Sequence, residues 1–120
     1  MYVDDVKIGE IMPNELTLHE QTILLSIWRL KGDAYGVTLR DNIMEITETN
    51  IHYGTLYNTL SKLVKRGYIE TITGEPTQER GGRRKIYYNL TDNGKVALQK
   101  AKNLQSAMWN GVPDFIAEIP

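Results

Sequence analysis

Apolar residues return every three or four positions in three stretches of the chain, and each stretch carries its own start or stop signal. Thr17 followed by Glu20 has the form of a capping box, and Ile23, Leu24, Ile27, Trp28 and Leu30 then recur at helical spacing. A first helix is predicted to end near Lys31, where Gly32 and Asp33 break the pattern, with Trp28 expected in the core. After Ala34, Tyr35 and Gly36, the residues Leu39, Ile43 and Ile46 repeat at helical steps and predict a second helix ending near Thr47. Thr49 and Asn50 are suited to cap a third helix. In it Leu56, Leu60 and Leu63 fall on one stripe, and Gly67, after Lys65 and Arg66, is a C-terminal stop.

The period then changes to two. Residues 69–73 read as a short strand, and residues 85–90 alternate Ile86, Tyr88 and Leu90 against Lys85, Tyr87 and Asn89, so a hairpin is expected. Its connection, residues 74–84, contains Pro76, Gly81 and Gly82 with Arg80, Arg83 and Arg84, too long for a tight turn and too polar for a core. That tip should project into solvent. Thr91 caps a last helix with Asp92 at its positive end; it runs through Val96, Leu98, Ala101, Leu104 and Met108 to about Trp109, and Gly111 and Pro113 close it. Three helices, a hairpin with a basic tip and one more helix predict a mainly α fold with a small β-hairpin, a winged helix-turn-helix.

Composition narrows the function classes. With 120 residues the chain has the size of one domain, and with no Cys it has neither a disulfide framework nor a thiolate metal site. No apolar run approaches the roughly 20 residues that cross a bilayer. Asp4, Asp5 and Glu10 stand where a signal peptide would be basic and then apolar, so a cytoplasmic protein is expected. The formal charge of -1 hides an asymmetry: residues 1–50 carry four Lys/Arg against nine Asp/Glu (net -5), while residues 51–90 carry seven against three (net +4). Because exposed charges are screened beyond about 8 Å at physiological salt, a polyanion docked on the basic part would feel that part most.

If Leu56, Leu60 and Leu63 face the core, then Tyr53, Tyr57, Asn58, Ser61, Lys62 and Lys65 cross the other face, where they can meet one groove of a duplex. Asn58 is suited to an adenine edge and Lys62 to a guanine; Tyr53, Tyr57, Ser61 and Lys65 are suited to phosphates. Tyr35 and Thr55 complete the candidate DNA-binding set on this side. Arg80, Arg83, Arg84 and Lys85 give four cations within six residues beside pliable glycines, a composition that reaches phosphates or a narrow minor groove. The bland alternatives, a solvated helix face and a solubilising loop, account for each feature alone but not for their coincidence. His19 and His52 have no Cys or ordered carboxylate partner, and Ser26 and Ser61 lack any triad context. The wing glycines precede a strand, so they form no phosphate cradle. Neither an enzyme nor a cofactor is expected.

The residues quoted above resemble the PadR-like winged-helix transcriptional regulators over about residues 16–111. The similarity is carried by Gly32-Asp33-Ala34-Tyr35-Gly36, by YGTLYNTLSKLVKRGYIE at residues 53–70 and by GEPTQERGGRRKIYYNLTDNGK at residues 74–95. The LTDNG piece is shared by several winged-helix families; the GTLY box with the GGRRK wing is more specific. The resemblance implies a homodimeric repressor on double-stranded DNA, with an inverted-repeat operator. It also implies dimer contacts from the last helix, here Leu98, Ala101, Leu104, Met108 and Trp109, and in some members a small effector at that interface. Trp109 is then a candidate to stack a planar aromatic effector, against plain interface packing as the simpler reading. The corresponding division is residues 1–15 as an extension, either disordered or wrapped on a partner subunit, 16–90 as the DNA-binding domain, and 91–120 as the dimerisation helix and tail. The alternative from another class is a winged-helix adaptor that binds protein through the same surface; a third is an effector-binding protein that has lost DNA binding.

Overall fold

The structure, a computed structural model, describes residues 15–76 and 84–120. The helices α1 (Leu18–Leu30), α2 (Gly36–Thr47) and α3 (Tyr53–Lys65) come first. A hairpin of β1 (Ile69–Pro76) and β2 (Arg84–Leu90) follows, and then α4 (Asp92–Trp109) and the short α5 (Phe115–Glu118). This is the winged-helix order expected from the sequence. The N-terminal extension up to residue 14 and the wing tip, residues 77–83, lie outside the described residues.

The local signals act where the sequence places them, with one exception. Thr17 accepts from the Glu20 N–H at 3.1 Å while the Glu20 carboxylate accepts from the Thr17 N–H at 2.8 Å, a reciprocal cap that opens α1. The same carboxylate meets Arg66 at 2.9 Å and so ties the head of α1 to the tail of α3. Gly67, at φ 78°, ends α3 with the N–H of Tyr68 on the Leu63 carbonyl and its own N–H on that of Val64, the paired bonds of a Schellman stop. The exception is the start of α3. Neither Thr49 nor Asn50 caps it: the N-cap is His52, in extended backbone and without a side-chain cap bond. Ile51 is buried, so the chain must cross the core edge before a helix can begin. Thr49 instead bonds back to Thr47, closing the end of α2.

The hairpin is antiparallel with Ile69 opposite Leu90 and Thr71 opposite Tyr88, and its register shifts between Thr73 and Pro76. Its strands reach further than the alternation predicts, and they change character on the way. Ile69 and Tyr88 at the root are buried, whereas Ile72 and Ile86 further out are exposed. The Tyr88 N–H donates to the Ala34 carbonyl at 2.9 Å, which fastens the root to the α1–α2 connection. Thr91 caps α4 by accepting from the Gly94 N–H at 3.1 Å, and its hydroxyl donates to the Gly67 carbonyl at 2.6 Å. A Cβ at Gly94 would run into the Tyr68 carbonyl, so only glycine lets α4 sit this close to the end of α3.

The core joins Ile23, Leu24 and Ile27 of α1 to Leu39 and Ile43 of α2, Leu56, Leu60 and Leu63 of α3, and the hairpin root. Each such side chain contributes about 1.5–3 kcal/mol by leaving water. Trp28 does not belong to it. It is 54% exposed, with the Lys31 ammonium 5.6 Å from its ring centre. At 3.6 residues per turn it stands about 140° round the helix from Ile23, outside the inward stripe. Ile46, in the last turn of α2, is likewise exposed.

Candidate nucleic-acid interface

Leu56, Leu60 and Leu63 are 0% exposed, which sets the rotation of α3. Directly opposite, Asn58, Ser61, Lys62 and Lys65 lie within about 100° of arc on the helix surface, and all four are exposed. Thr55 lies on the same side and is exposed as well. Lys62 and Lys65 also fall in the last turn, where cations favour the negative end of the helix. The result is a continuous polar and cationic line, one helix long, with no apolar residue in it.

Tyr53 and Tyr57 stand apart from that line, on the flank toward α2. Their rings stack at 6.1 Å and 22°, and Arg40 of α2 lies over Tyr53 with its guanidinium carbon 4.7 Å from the ring centre. The hydroxyl end of Tyr57 packs against Gly36, where a Cβ would collide with it. Both side chains remain partly exposed while they brace α3 on α2. Arg40 is the residue the sequence pattern does not reveal, because nothing in the spacing of α2 says which face meets the tyrosines.

Of the wing cations, Arg84 is exposed at the start of β2, and Lys85 is half-buried with its ammonium 4.4 Å from the Tyr35 ring centre. Tyr35 in turn meets Tyr87 edge-on at 5.5 Å. These contacts lean the wing base on the turn before α2 and bring Tyr35 and Lys85 together. Arg80 and Arg83 lie outside the described residues. Beneath the wing, burial and, secondarily, the neighbouring Tyr57 phenol raise the Tyr88 hydroxyl above the usual tyrosine range and keep it neutral.

The residues expected at a dimer contact split in two. Leu98 and Ala101 pack partly on the chain's own core, whereas Leu104, Met108 and Trp109 are exposed, the last two at 59% and 53%. Between α1 and α4 runs an open groove of about 680 Å³ lined by Leu16, Tyr68, Val96, Leu104 and Met108; Trp109 is not part of its lining. His19 and His52, far apart in sequence, line a second cleft near the head of α3, and His19 Nε2 lies 3.3 Å from the Thr59 hydroxyl. Among the described residues no group of three or more His, Cys, Asp or Glu is placed to hold a metal, and no helix is long and apolar enough to cross a membrane.

The model of the Transcriptional regulator PadR-like family matches residues 23–100, from the middle of α1 to the first half of α4. Among solved structures, a protein from Streptococcus mutans is 33% identical, with a TM-score of 0.56 over 74% of this chain and 77% of its own. A transcriptional regulator from Clostridium thermocellum is 29% identical, with a TM-score of 0.59 over 92% of this chain and 100% of its own. A PadR-like transcriptional regulator from Bacillus cereus, 24% identical, has a TM-score of 0.65 over 79% and 87%. No curated protein matches in sequence.

Proposed function

Since the chain belongs to the PadR-like family of transcriptional regulators, whose members bind DNA, typically act as dimers and are not enzymes, we propose that it is a homodimeric repressor that reads an inverted-repeat operator through α3. The observation that carries this reading is the line Asn58, Ser61, Lys62, Lys65, exposed along its whole length and held outward by three fully buried leucines. A two-fold dimer places its two reading helices in successive major grooves about 34 Å apart. Asn58 then offers an amide to an adenine edge and Lys62 an ammonium to guanine, while Ser61, Lys65, Thr55, Tyr53 and Tyr57 meet phosphates. Arg84, with Tyr35 and Lys85 behind it, brings the wing to the flanking backbone, and Arg80 and Arg83 extend that contact. The exposed end of α4, with Leu104, Met108 and Trp109, supplies the two-fold contact, joined by Leu98 and Ala101 nearer the core.

Release follows if a small planar aromatic effector binds between the two α4 helices and favours a spacing that no longer fits the operator. A ligand shifts an equilibrium only through its different affinity for the two states. The reading places the protein in the cytoplasm.

The deciding experiment is a selection of genomic fragments bound by the purified protein, followed by footprinting of the enriched site. An inverted repeat protected on two successive major-groove faces supports the proposal. A protein that enriches no sequence at low salt removes it in favour of the adaptor role.

A further inference from the structure

Arg40 sits on α2, which presents none of the four residues of the reading line, yet it makes the most directional contacts at the head of α3. Its Nε–H donates to the Ile51 carbonyl at 2.8 Å, in the turn that leads into α3, and its guanidinium carbon lies 4.7 Å from the Tyr53 ring centre. Tyr53 stacks on Tyr57, and Tyr57 ends against Gly36. Gly36 and Arg40 are four residues apart on α2, and Tyr53 and Tyr57 are four apart on α3, so each pair shares one face of its helix. The series Ile51, Arg40, Tyr53, Tyr57, Gly36 therefore clasps α3 by its first turn and a half, starting and finishing on α2 or its exit.

The leucine stripe alone does not do this. Burial of apolar surface is non-directional and tolerates small slides and rotations of a helix, whereas a hydrogen bond and a stacked ring do not. The head of α3 has no side-chain cap, and the Arg40 Nε–H instead anchors the chain just before the helix, at the Ile51 carbonyl. A planar guanidinium can donate in its plane and stack on its face at once; a lysine ammonium can do only one of these from a given position.

We propose that Arg40 is a positioning residue for sequence reading: it fixes the pitch of α3 so that Asn58 and Lys62 meet base edges, without itself supplying a phosphate contact. The inference rests on the DNA-reading function proposed above. Its signature is a loss confined to the specific complex, because non-specific binding depends on charge and not on the alignment of side chains with bases.

The test uses the full chain and two duplexes of equal length, the tightest binder from a random-sequence selection with wild-type protein and a scrambled version of it. Affinities are measured by fluorescence anisotropy over a range of salt. For Arg40→Met the expected result is a loss of about tenfold or more on the selected duplex, the size of one good base contact. The scrambled duplex should show unchanged affinity and an unchanged salt slope. Arg40→Lys, which keeps the charge, should recover only part of the selectivity. Gly36→Ala, which pushes on the other end of the clasp, should show the same signature. Equal losses on both duplexes, with the salt slope shallower by about 0.9 per subunit, would make Arg40 a phosphate contact and overturn the proposal. So would an unchanged affinity of Arg40→Met for the selected duplex. Should Arg40→Met fail to fold by circular dichroism, Tyr53→Leu breaks the same stack with Arg40 in place, and undiminished selectivity there is equally fatal. A wild-type protein that does not distinguish the duplexes removes the function reading beneath.

Discussion

The outward faces of α3 and α4 both lie open to solvent, but they are built from opposite chemistry. On α3 the exposed line is Asn58, Ser61, Lys62 and Lys65; on the far half of α4 it is Leu104, Met108 and Trp109, continued by Val112, Phe115 and Ile116 beyond the helix. Exposed polar and cationic groups on an amphipathic helix need no explanation beyond solubility by themselves; the fully buried leucine stripe fixes which of them share one line. Exposed large apolar groups gathered on one element are costly in water and mark a surface that another surface covers. Under the function proposed above, one face meets a charged, hydrated ligand and the other a second protein surface. Reading and pairing then fall on separate helices of one core.

The largest effect is expected where that common support is cut. Leu60→Ala removes a fully buried side chain behind the reading line and should cost roughly 2–5 kcal/mol in urea unfolding, with DNA binding lost through unfolding. A folded and fully active Leu60→Ala protein would show that the leucines do not set the rotation of α3. Next comes the apolar face. Leu104→Asp places a charge among the exposed residues of α4 and should weaken self-association by about 2 kcal/mol or more, seen as a shift toward monomer in sedimentation velocity, while the melting curve of the winged-helix core changes little. An unchanged dimer would move the pairing surface elsewhere. On the polar face, Lys62→Ala should cost about 1–3 kcal/mol on the selected site and relax one base position. Lys65→Ala should weaken all duplexes alike and make the salt slope shallower by about 0.9 per subunit, against a total near -7 for a dimer that neutralises about eight phosphates. If the two lysine variants exchange these signatures, the assignment of base and phosphate contacts along α3 is reversed.

Most of the fold is legible in the sequence, because period and punctuation are local. The capping box at Thr17, the Gly67 stop and the Thr91 cap each depend on residues within a few positions, and each is present in the fold. Sequence and structure part where neighbours along the chain are not neighbours in space. Trp28 follows Ile27 in an apolar run but turns away from the core, and Thr49-Asn50, good capping residues, were passed over because buried Ile51 delays the helix until Tyr53. At the candidate interface the spacing located the reading line, but the tyrosines were legible only as exposed residues. That Tyr53 and Tyr57 brace α3 on α2 depends on Arg40 and Gly36, 13 and 21 residues earlier, and no period connects them.

The smallest expected effect concerns the support that both faces share at the hairpin root. Tyr88 is buried there and its backbone N–H holds the Ala34 carbonyl, so its ring stands behind the joint from which α2, the wing and, through Tyr57, the head of α3 are braced. Its hydroxyl titrates higher in the folded chain than in the unfolded one, where it ionises near 10. Below pH 10 both states carry the proton and the difference has no effect. As the pH rises through 10 the unfolded chain releases its proton first, so stability falls with pH from there until the folded hydroxyl also ionises. Tyr88→Phe keeps the ring and the backbone bond while removing the titrating group, so its unfolding free energy should decline less steeply than wild type between pH 10 and 11, by circular dichroism in urea, with DNA affinity at pH 7.5 unchanged. Identical alkaline slopes would mean that the hydroxyl is as well solvated in the folded root as in the unfolded chain. A loss of DNA affinity at neutral pH would instead give Tyr88 a part in placing α3, and the separation of support from reading drawn between the two helices would need to be narrowed to Arg40, Tyr53 and Tyr57 together with the hairpin root.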